Sequence, residues 1–267
     1  MRKLHITALM FFMAGLLAAC ANTQQGSPGT VAETSSSSGT LKVGINPDYP
    51  PLAYKENGRL TGIEVVLAQQ TGRELNRKIE FVELPWDDLI PALNAGKIDV
   101  IMSGMSVTRD RAQLVSFTDP YMSVGQMAII RKEDIGKISS PLALAQTRMR
   151  VGYAKGTTGE LFVEQKLVHA EKVPLDSGEA GLPALRAGEI DVFIHDAPTA
   201  WQLANDPMEN EVVALYWPLT EEELAWAVRK NDILLRNDLN SMITNWKKSG
   251  RLQATLNQWI RVRVEVR

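Results

Sequence analysis

Residues that carry common enzyme and metal chemistry are scarce in this sequence of 267 residues. The histidines are His5, His169 and His195, and no two of them have the spacing of a metal-binding pair. A glycine-rich phosphate loop of the P-loop or dinucleotide type is absent, and so is the nucleophile turn of hydrolases. The sequence therefore predicts no metal site, no cofactor and no catalytic residue.

An excess of charge of one sign is also lacking. The chain has 29 basic and 31 acidic residues, a net charge of −2, and no run or patch of Lys and Arg. A nucleic-acid partner is therefore not expected. No second hydrophobic stretch is long enough to span a bilayer, so we expect the body of the protein to be soluble.

The single cysteine, Cys20, ends a segment with the features of an export signal. Arg2 and Lys3 precede an apolar run, 8–17, which is too short for a membrane span and leads into Leu-Ala-Ala-Cys. This ending resembles the lipobox of bacterial lipoproteins, in which the cysteine is acylated and becomes the mature N-terminus. The alternative, a buried core thiol, lacks neighbours that could form a core. Residues 1–20 are therefore predicted to be a lipoprotein signal peptide.

Residues 21–40 have almost no bulky apolar side chain. Such a segment cannot bury enough surface to offset the entropy lost on ordering. It is expected to be a flexible tether between the lipid at Cys20 and a folded part that begins near residue 40.

After the tether, strand-like and helix-like segments alternate, and the order then starts again. Short apolar runs predict strands, and amphipathic runs that end near glycine predict helices. The first series predicts strands over 41–46, 78–84 and 97–103 and helices over 63–75 and 86–95; the second predicts strands over 150–154, 171–175 and 189–195 and helices over 158–167 and 179–187. This order is typical of an α/β fold with a mainly parallel sheet flanked by helices, here one in each half.

One phrase occurs in both halves, PALNAGKIDV at 91–100 and PALRAGEIDV at 183–192. Each copy predicts a helix, a glycine that stops it and a buried strand. Asp99 and Asp191, just inside the strands, are interpreted as structural residues. The repeat indicates two lobes of similar build.

The two copies continue differently, the first into Ser103 and Gly104 and the second into His195 and Asp196. Open α/β sheets bind ligands beyond the carboxyl ends of their strands. We therefore expect these two pairs of residues on opposite walls of one cleft.

The lobe boundaries are predicted from the repeat and from the stretch SFTDPYMSVG at 116–125, which we interpret as a crossing strand. Lobe 1 is predicted to comprise residues 41–124 and 223–267, including amphipathic helices near the C-terminus. Lobe 2 is predicted to comprise residues 125–222.

Polar residues suited to ligand binding occur in three loop stretches. The stretch from Ser103 to Arg111 contains Thr108 as a helix cap. An isolated arginine there, at Arg111, would be interpreted as a solvated surface charge. KGTTG at 155–159 is a strand-to-helix turn whose backbone amides attract carboxylates, although many such turns are only caps. The third position is Asp196, which follows an apolar strand.

Several stretches of the chain, taken in order, resemble one protein family. GINPDYPPLAY, GIEVVLA, PWDDLIPALNAGKIDVIMSGMSVTRDR, SFTDPYM, VGYAKGTTGE and LAWAVRKND are similar to segments of bacterial extracellular solute-binding proteins for polar amino acids. The resemblance runs from Leu41 to Ile260. It implies the two-lobed periplasmic-binding-protein fold of type II, with the ligand cleft between the lobes. It also implies a binding lipoprotein that delivers an amino acid to the membrane permease of an ABC importer.

The resemblance further implies roles for individual residues. Arg111 aligns with the arginine that holds the ligand's α-carboxylate, for which a bidentate fork is suited. Asp196 aligns with the carboxylate that receives the α-ammonium group. Many relatives carry aspartate at the position of Asn46, so a neutral polar ligand is favoured over a cationic one, although Asp48 could partly compensate. The other ligand-binding residues are expected to be Tyr49 and Trp86 at the side-chain wall, with Ser103, Gly104, Ser106, Thr157, Thr158 and His195.

Two other functions remain possible from the sequence. Periplasmic cyclohexadienyl dehydratases, which act on prephenate or arogenate, are similar to this family, and tails like SGRLQATLNQWIRVRV recur among them. Such an enzyme needs a general acid in the cleft, for which His195 or Asp196 is the candidate. A sensor module of a receptor is disfavoured because no transmembrane segment follows. We expect a monomer, exported and lipid-anchored on the periplasmic or cell-surface side.

Overall fold

The computed structural model describes residues 39–206 and 208–260. The predicted signal peptide, Cys20 and most of the tether lie outside the described residues. The strands are β1 (Thr40–Ile45), β2 (Asp48–Tyr49), β3 (Ala53–Glu56), β4 (Arg59–Thr61), β5 (Lys78–Glu83), β6 (Val100–Ile101), β7 (Ser116–Phe117), β8 (Met122–Val124), β9 (Gln126–Arg131), β10 (Arg150–Ala154), β11 (Glu171–Leu175), β12 (Val192–Asp196), β13 (Val212–Leu215), β14 (Glu222–Leu224) and β15 (Ala227–Val228).

The helices occupy the connections between these strands. They are α1 (Ile63–Glu74), α2 (Leu89–Asn94), α3 (Arg109–Leu114), α4 (Pro141–Ala145), α5 (Thr158–Lys166), α6 (Gly181–Arg186), α7 (Ala197–Asn205), α8 (Ile233–Lys248) and α9 (Arg251–Trp259). Thr108 caps α3, Thr157 caps α5 and Asp232 caps α8, each by accepting a hydrogen bond from a backbone N–H of the first turn.

The first sheet has the strand order β5-β1-β6-β15-β7. Strand β1 is parallel to both β5 and β6, whereas β15 is antiparallel to β6 and to β7. Four strands therefore run in one direction, and β15 alone runs against them. Helices α1, α8 and α9 cover one face of this sheet with a core that includes Trp226 and Trp246.

The second sheet repeats this arrangement with the order β11-β10-β12-β9-β13. Strand β10 is parallel to β11 and β12, and β9 is antiparallel to β12 and β13. The predicted α/β fold class, with one mainly parallel sheet in each half, is thereby confirmed. The strands of the repeated phrase, β6 and β12, lie in different sheets.

The two copies of the repeated sequence make equivalent hydrogen bonds. The Asp99 carboxylate accepts from the N–H of Lys42, and the Asp191 carboxylate accepts from the N–H of Arg150, at 3.0 Å in both cases. An arginine at the end of each antiparallel strand completes the set. Arg229 donates to the carbonyl of Ile98, and Arg131 donates to the carbonyl of Ile190. Both of these bonds are 2.7 Å long. In each half, the aspartate joins the helix–strand unit to the neighbouring strand of its own sheet.

The remaining differences from the sequence prediction are local. The strand predicted over 97–103 is reduced to β6, because Asp99 already bonds to the backbone of Lys42 before the strand begins. The helix predicted over 86–95 starts as a tight 3-10 turn, Trp86–Asp88, and continues as α2. The antiparallel strands β9 and β15 were not predicted.

The chain passes between the two sheets in two neighbouring segments. Strands β8 and β14 pair antiparallel, with Val124 opposite Glu222 and Met122 opposite Leu224. We call this two-stranded element the crossing sheet. We call the first sheet with its helices the first lobe, and the second sheet with its helices the second lobe. The boundaries predicted at 124/125 and 222/223 fall at the crossing sheet and stay a proposal.

Candidate functional site

A cavity of about 170 Å³ lies between the two lobes, beyond the carboxyl ends of β1, β6, β10 and β12. Ten of the eleven predicted ligand-binding residues line it; they are Asn46, Tyr49, Trp86, Gly104, Ser106, Arg111, Thr157, Thr158, His195 and Asp196. The tertiary structure thus brings together residues that are up to 150 positions apart in the chain.

Ser103 is the predicted residue that does not line the cavity. It is buried, and its hydroxyl accepts a 2.9 Å hydrogen bond from the backbone N–H of Asn46. The side-chain amide of Asn46 in turn donates to the carbonyl of Leu84 at 3.1 Å. The Ser103 hydroxyl therefore fixes the loop that carries Asn46, and a ligand contact by Ser103 stays a prediction.

Arg111 reaches the cavity from the first lobe. The Thr108 hydroxyl accepts a hydrogen bond from the backbone N–H of Arg111 and so places Arg111 in the first turn of α3. The guanidinium donates to the carbonyls of Ser106 at 2.9 Å and Gly156 at 3.0 Å, and it lies 5.1 Å from the ring centroid of Trp86. Burial lowers the pKa of Arg111, against the charges of two nearby carboxylates. It is a half-buried cation that two carbonyls hold in one orientation, unlike a freely solvated surface arginine.

Asp196 ends β12 on the opposite wall. Its carboxylate accepts a 2.6 Å hydrogen bond from the Tyr49 hydroxyl and a second bond from the amide of Gln126. Burial, followed by the negative charge of Glu222, raises the pKa of Asp196 to about 6. An anion in such surroundings is favoured by a positively charged partner.

His195, beside Asp196, is packed between aromatic rings. Its ring centroid lies 5.1 Å from that of Tyr49 and 5.1 Å from that of Phe193. Burial lowers the pKa of His195 to about 4, and its Nδ1 accepts from the backbone N–H of Asp196. The imidazole is therefore neutral near neutral pH and lacks the proton that a general acid must supply.

Gly104 forms part of the cavity floor and requires glycine. Its φ is +65°, and an added Cβ would lie 2.7 Å from atoms of both Leu52 and Tyr49. Its backbone N–H donates to the buried carboxylate of Glu64 at 2.7 Å, and that carboxylate also accepts from Tyr121 and Trp226. Glu64 thus ties the cavity floor to the residues that flank the crossing sheet.

The two threonines of the second lobe use their hydroxyls differently. The hydroxyl of Thr157 donates to the carbonyl of Ala154 at 2.7 Å and accepts from the N–H of Glu160, so both of its roles are taken within the turn. The Thr158 hydroxyl accepts from the amide of Gln126 at 3.0 Å. No acceptor for the proton of this hydroxyl is found among the described residues, so the proton is available to a ligand.

Several cavity residues were missed by the sequence reasoning. Gln126 lines the cavity although it opens an unpredicted strand, and Ser177 and Gly178 follow β11 without a recognisable motif. Asp48 also lines the cavity, and burial raises its pKa. The sequence indicates only that Asp48 could partly compensate for Asn46.

The described residues, 39–206 and 208–260, contain neither a metal-binding cluster nor a membrane-spanning helix. No group of three or more His, Cys, Asp and Glu side chains in that part of the chain is placed to hold a metal ion. No helix there combines the length and the apolar character needed to cross a membrane.

Two α/β lobes that meet around a polar cavity, with an arginine on one wall and a carboxylate on the other, define a two-lobed solute-binding protein. The sequence profile of the bacterial extracellular solute-binding proteins, family 3, matches residues 41–262. The chain belongs to this family.

Individual relatives bind different amino acids. The chain is 29% identical over 223 residues to the L-cystine-binding protein TcyJ of Escherichia coli, with 83% of this chain and 82% of the relative covered. It is 32% identical to a probable histidine-binding protein of Neisseria gonorrhoeae, with 78% of each covered.

The solved structures that match this chain include amino acid-binding proteins. The ancestral amino acid-binding protein AncCDT-1, a precursor of cyclohexadienyl dehydratase, matches with a TM-score of 0.77 and 35% identity, over 83% of this chain and 95% of that one. A binding component of an ABC transporter from Wolinella succinogenes, complexed with lysine, matches with a TM-score of 0.79 and 28% identity, over 83% and 95%.

Proposed function

We propose that this protein is the substrate-binding lipoprotein of an ABC importer and captures an L-α-amino acid between its two lobes. The observation that supports this most directly is the placement of Arg111 and Asp196 on opposite walls of one cavity. A zwitterion carries one charge for each of them. Its α-carboxylate pairs with the guanidinium of Arg111, and its α-ammonium group pairs with Asp196.

Closure of the lobes follows from the same geometry. Arg111 belongs to the first lobe and Asp196 to the second, so a ligand that contacts both stabilises the closed arrangement over an open one. Direct bonds between the lobes already define that arrangement: the Trp86 indole N–H donates to the carbonyl of Gly156 at 2.9 Å, and the Thr199 hydroxyl donates to the carbonyl of Pro50 at 2.9 Å.

The side chain of the ligand is proposed to be neutral and polar. The wall near Asn46, Tyr49 and Trp86 offers an amide and ring surfaces without a formal charge. Asp48 adds a carboxyl group next to these residues, and burial raises its pKa. A neutral amide or imidazole N–H of the ligand can donate to it. The named relatives include cystine- and histidine-binding proteins, and a glutamine-binding protein of Bacillus subtilis is 25% identical over 98% of this chain.

The dehydratase alternative is less well supported. The curated relatives named above are binding proteins, and the matching dehydratase precursor is itself described as an amino acid-binding protein. Asp196 has a sufficient role as the ammonium partner. Product formation from prephenate or arogenate by the purified protein would reverse this conclusion.

Partners and location complete the proposal. The ligand-loaded protein delivers its amino acid to the membrane permease of the importer, as a monomer. Cys20 carries the lipid that holds it on the periplasmic or cell-surface side of a membrane, and residues 21–40 form the tether.

A thermal-shift screen of the common L-amino acids and L-cystine tests the proposal. A ligand at about 100 times its Kd adds roughly 2.7 kcal/mol to the free energy of unfolding. Calorimetry on Arg111→Ala and Asp196→Ala should then show affinity reduced by about 2–5 kcal/mol. Arg109→Ala, an exposed arginine in the same helix, is the matched control and should bind like wild type.

Two results would contradict the proposal. If no amino acid shifts the unfolding temperature, or if both cavity variants bind like wild type, the site is assigned wrongly. If arginine or lysine binds most tightly, the preference for a neutral side chain is wrong. Asp48 then contacts the cationic side chain in place of the aspartate that many relatives have at position 46.

A further inference from the structure

Glu222 is a carboxylate at the junction of the two lobes that does not itself line the cavity. It begins β14 in the crossing sheet, opposite Val124. Its Oε2 accepts a 2.7 Å hydrogen bond from the Ser106 hydroxyl. Its Oε1 accepts from the Gln126 amide at 3.1 Å and from the Thr220 hydroxyl at 2.6 Å. Two of these donors, Ser106 and Gln126, do line the cavity.

The bond to Glu222 fixes which way the Ser106 hydroxyl points. A carboxylate can only accept hydrogen bonds, so the single proton of Ser106 is directed toward Glu222. The lone pairs of that oxygen are left for the cavity. Ser106 is buried and its backbone also pairs with Leu224 of the crossing sheet, so the side chain has little freedom to turn. Ser106 therefore presents an acceptor to any ligand.

The amide of Gln126 is oriented by the same carboxylate. Its Nε2 lies within hydrogen-bond distance of Glu222, Asp196 and the Thr158 hydroxyl, which share its two protons. Its Oε1 is buried and has no hydrogen-bond partner among the described residues. The NH₂ group of Gln126 faces these oxygens because all three can accept a hydrogen bond. Gln126 thus joins two carboxylates of like charge, one from the crossing sheet and one from the second lobe.

We infer that Glu222 is a positioning residue for the ligand's ammonium group. It acts through Ser106 and Gln126, and its negative charge adds to that of Asp196 at the same end of the cavity. The Ser106 oxygen and the two carboxylates present acceptors and negative charge next to the Arg111 guanidinium, which donates to the Ser106 carbonyl. They therefore select an ammonium group over a hydroxyl or a hydrogen atom at the α-carbon. The inference rests on the proposed amino-acid function.

The variant Glu222→Gln tests this because the bonds of Glu222 dictate how a glutamine would sit. With its oxygen kept toward Gln126 and Thr220, its NH₂ group faces Ser106 and donates to it. The Ser106 hydroxyl must then turn its proton into the cavity. The opposite orientation would place two NH₂ groups against each other, at Gln126.

The measurement compares an amino acid with its α-hydroxy analogue. The probe is the tightest binder among the common L-amino acids and L-cystine, paired with the acid in which hydroxyl replaces ammonium. Glu222→Gln should weaken binding of the amino acid about tenfold, the loss expected for one hydrogen bond in a charged network. Binding of the hydroxy acid should stay unchanged or improve. Glu223→Gln, an exposed neighbour with the same change of charge, is the control and should alter neither.

Combination with Ser106→Ala separates positioning from general stability. If Glu222 acts largely through Ser106, adding Glu222→Gln to Ser106→Ala costs much less affinity than it costs in wild type. An equal loss for both analogues, or full additivity of the two substitutions, overturns the inference while leaving the proposed function intact. If wild type binds no amino acid at all, the proposed function fails, and the inference fails with it.

Discussion

Tyr49 and Asp196 are joined across the cleft by a hydrogen bond of 2.6 Å. Tyr49 lies on the short strand β2, which pairs with β3, and Asp196 ends the central β12 of the second lobe. Burial raises the pKa of Tyr49 well above its usual value, so its hydroxyl keeps the proton that it donates. The bond exists only where the two walls meet, and it therefore stabilises the closed arrangement.

Tyr49→Phe should accordingly weaken ligand binding without unfolding the protein. The ring that packs on Gly104 and His195 is kept, and one hydrogen bond to a carboxylate is lost, which is about 1.5–3 kcal/mol or roughly tenfold to a hundredfold in Kd. Calorimetry measures the affinity, and small-angle scattering measures the compactness of the protein. Tyr216→Phe, at a tyrosine that is 61% exposed, is the control; unchanged affinity in Tyr49→Phe would contradict the prediction.

Asp196→Asn should stabilise the fold at neutral pH while it weakens binding. The pKa of Asp196 is raised from 3.8 to about 6, so the folded state holds this proton more tightly than the unfolded state does. The ionised carboxylate therefore destabilises the fold above about pH 6, and the effect disappears as the pH falls toward 4. The asparagine variant should gain on the order of 1–3 kcal/mol at neutral pH and no advantage near pH 4.

Denaturant unfolding at several pH values measures this difference. Burial lowers the pKa of the neighbouring His195 from 6.5 to about 4, so its contribution to stability is lost as the pH falls through that window. Because His195 is present in both proteins, the difference between the two curves reports mainly on Asp196. A constant difference at all pH values would show that ionisation of Asp196 is not its cause.

Glu64→Leu should destabilise the protein strongly. The carboxylate is fully buried and accepts bonds from the Gly104 N–H, the Tyr121 hydroxyl and the Trp226 indole. Leucine leaves three buried donors without an acceptor, which costs about 3 kcal/mol or more. Glu64→Gln keeps one acceptor oxygen and should lose less.

Urea unfolding of both Glu64 variants, with the exposed Glu80→Leu as control, measures the order of the effects. Wild-type stability in Glu64→Leu would mean that the three donors find other partners. Because Gly104 lines the cavity, the glutamine variant should also bind ligand more weakly, which calorimetry tests separately.

Cys20→Ser should abolish lipid attachment and leave a folded binding protein. Serine lacks the thiol that carries the lipid, and the chain has no other cysteine. Mass spectrometry of protein from its own host should find an acylated N-terminal cysteine in wild type and in a Thr23→Ser control. An unmodified mature N-terminus elsewhere in wild type would contradict the lipidation.

Much of the secondary structure was predictable because it depends on neighbours in sequence. Strands β10 and β11 have the predicted bounds, and α5 differs by one residue. Their apolar spacing and capping residues are local signals. The antiparallel strands β9 and β15 were not predicted, and no local pattern shows that each pairs inside a sheet only after the chain has crossed between the lobes.

The sequence by itself determined the family, the α/β class and ten residues of the cavity, since the repeat, the loop chemistry and the order of the motifs are all linear features. Only the tertiary structure decided that Ser103 supports Asn46, that Glu64 holds the floor, and that Glu222 meets Ser106. The residues of these contacts are 57, 40 and 116 positions apart. Hydrogen bonds over such separations depend on how the first lobe and the crossing sheet are assembled, which local sequence patterns do not specify.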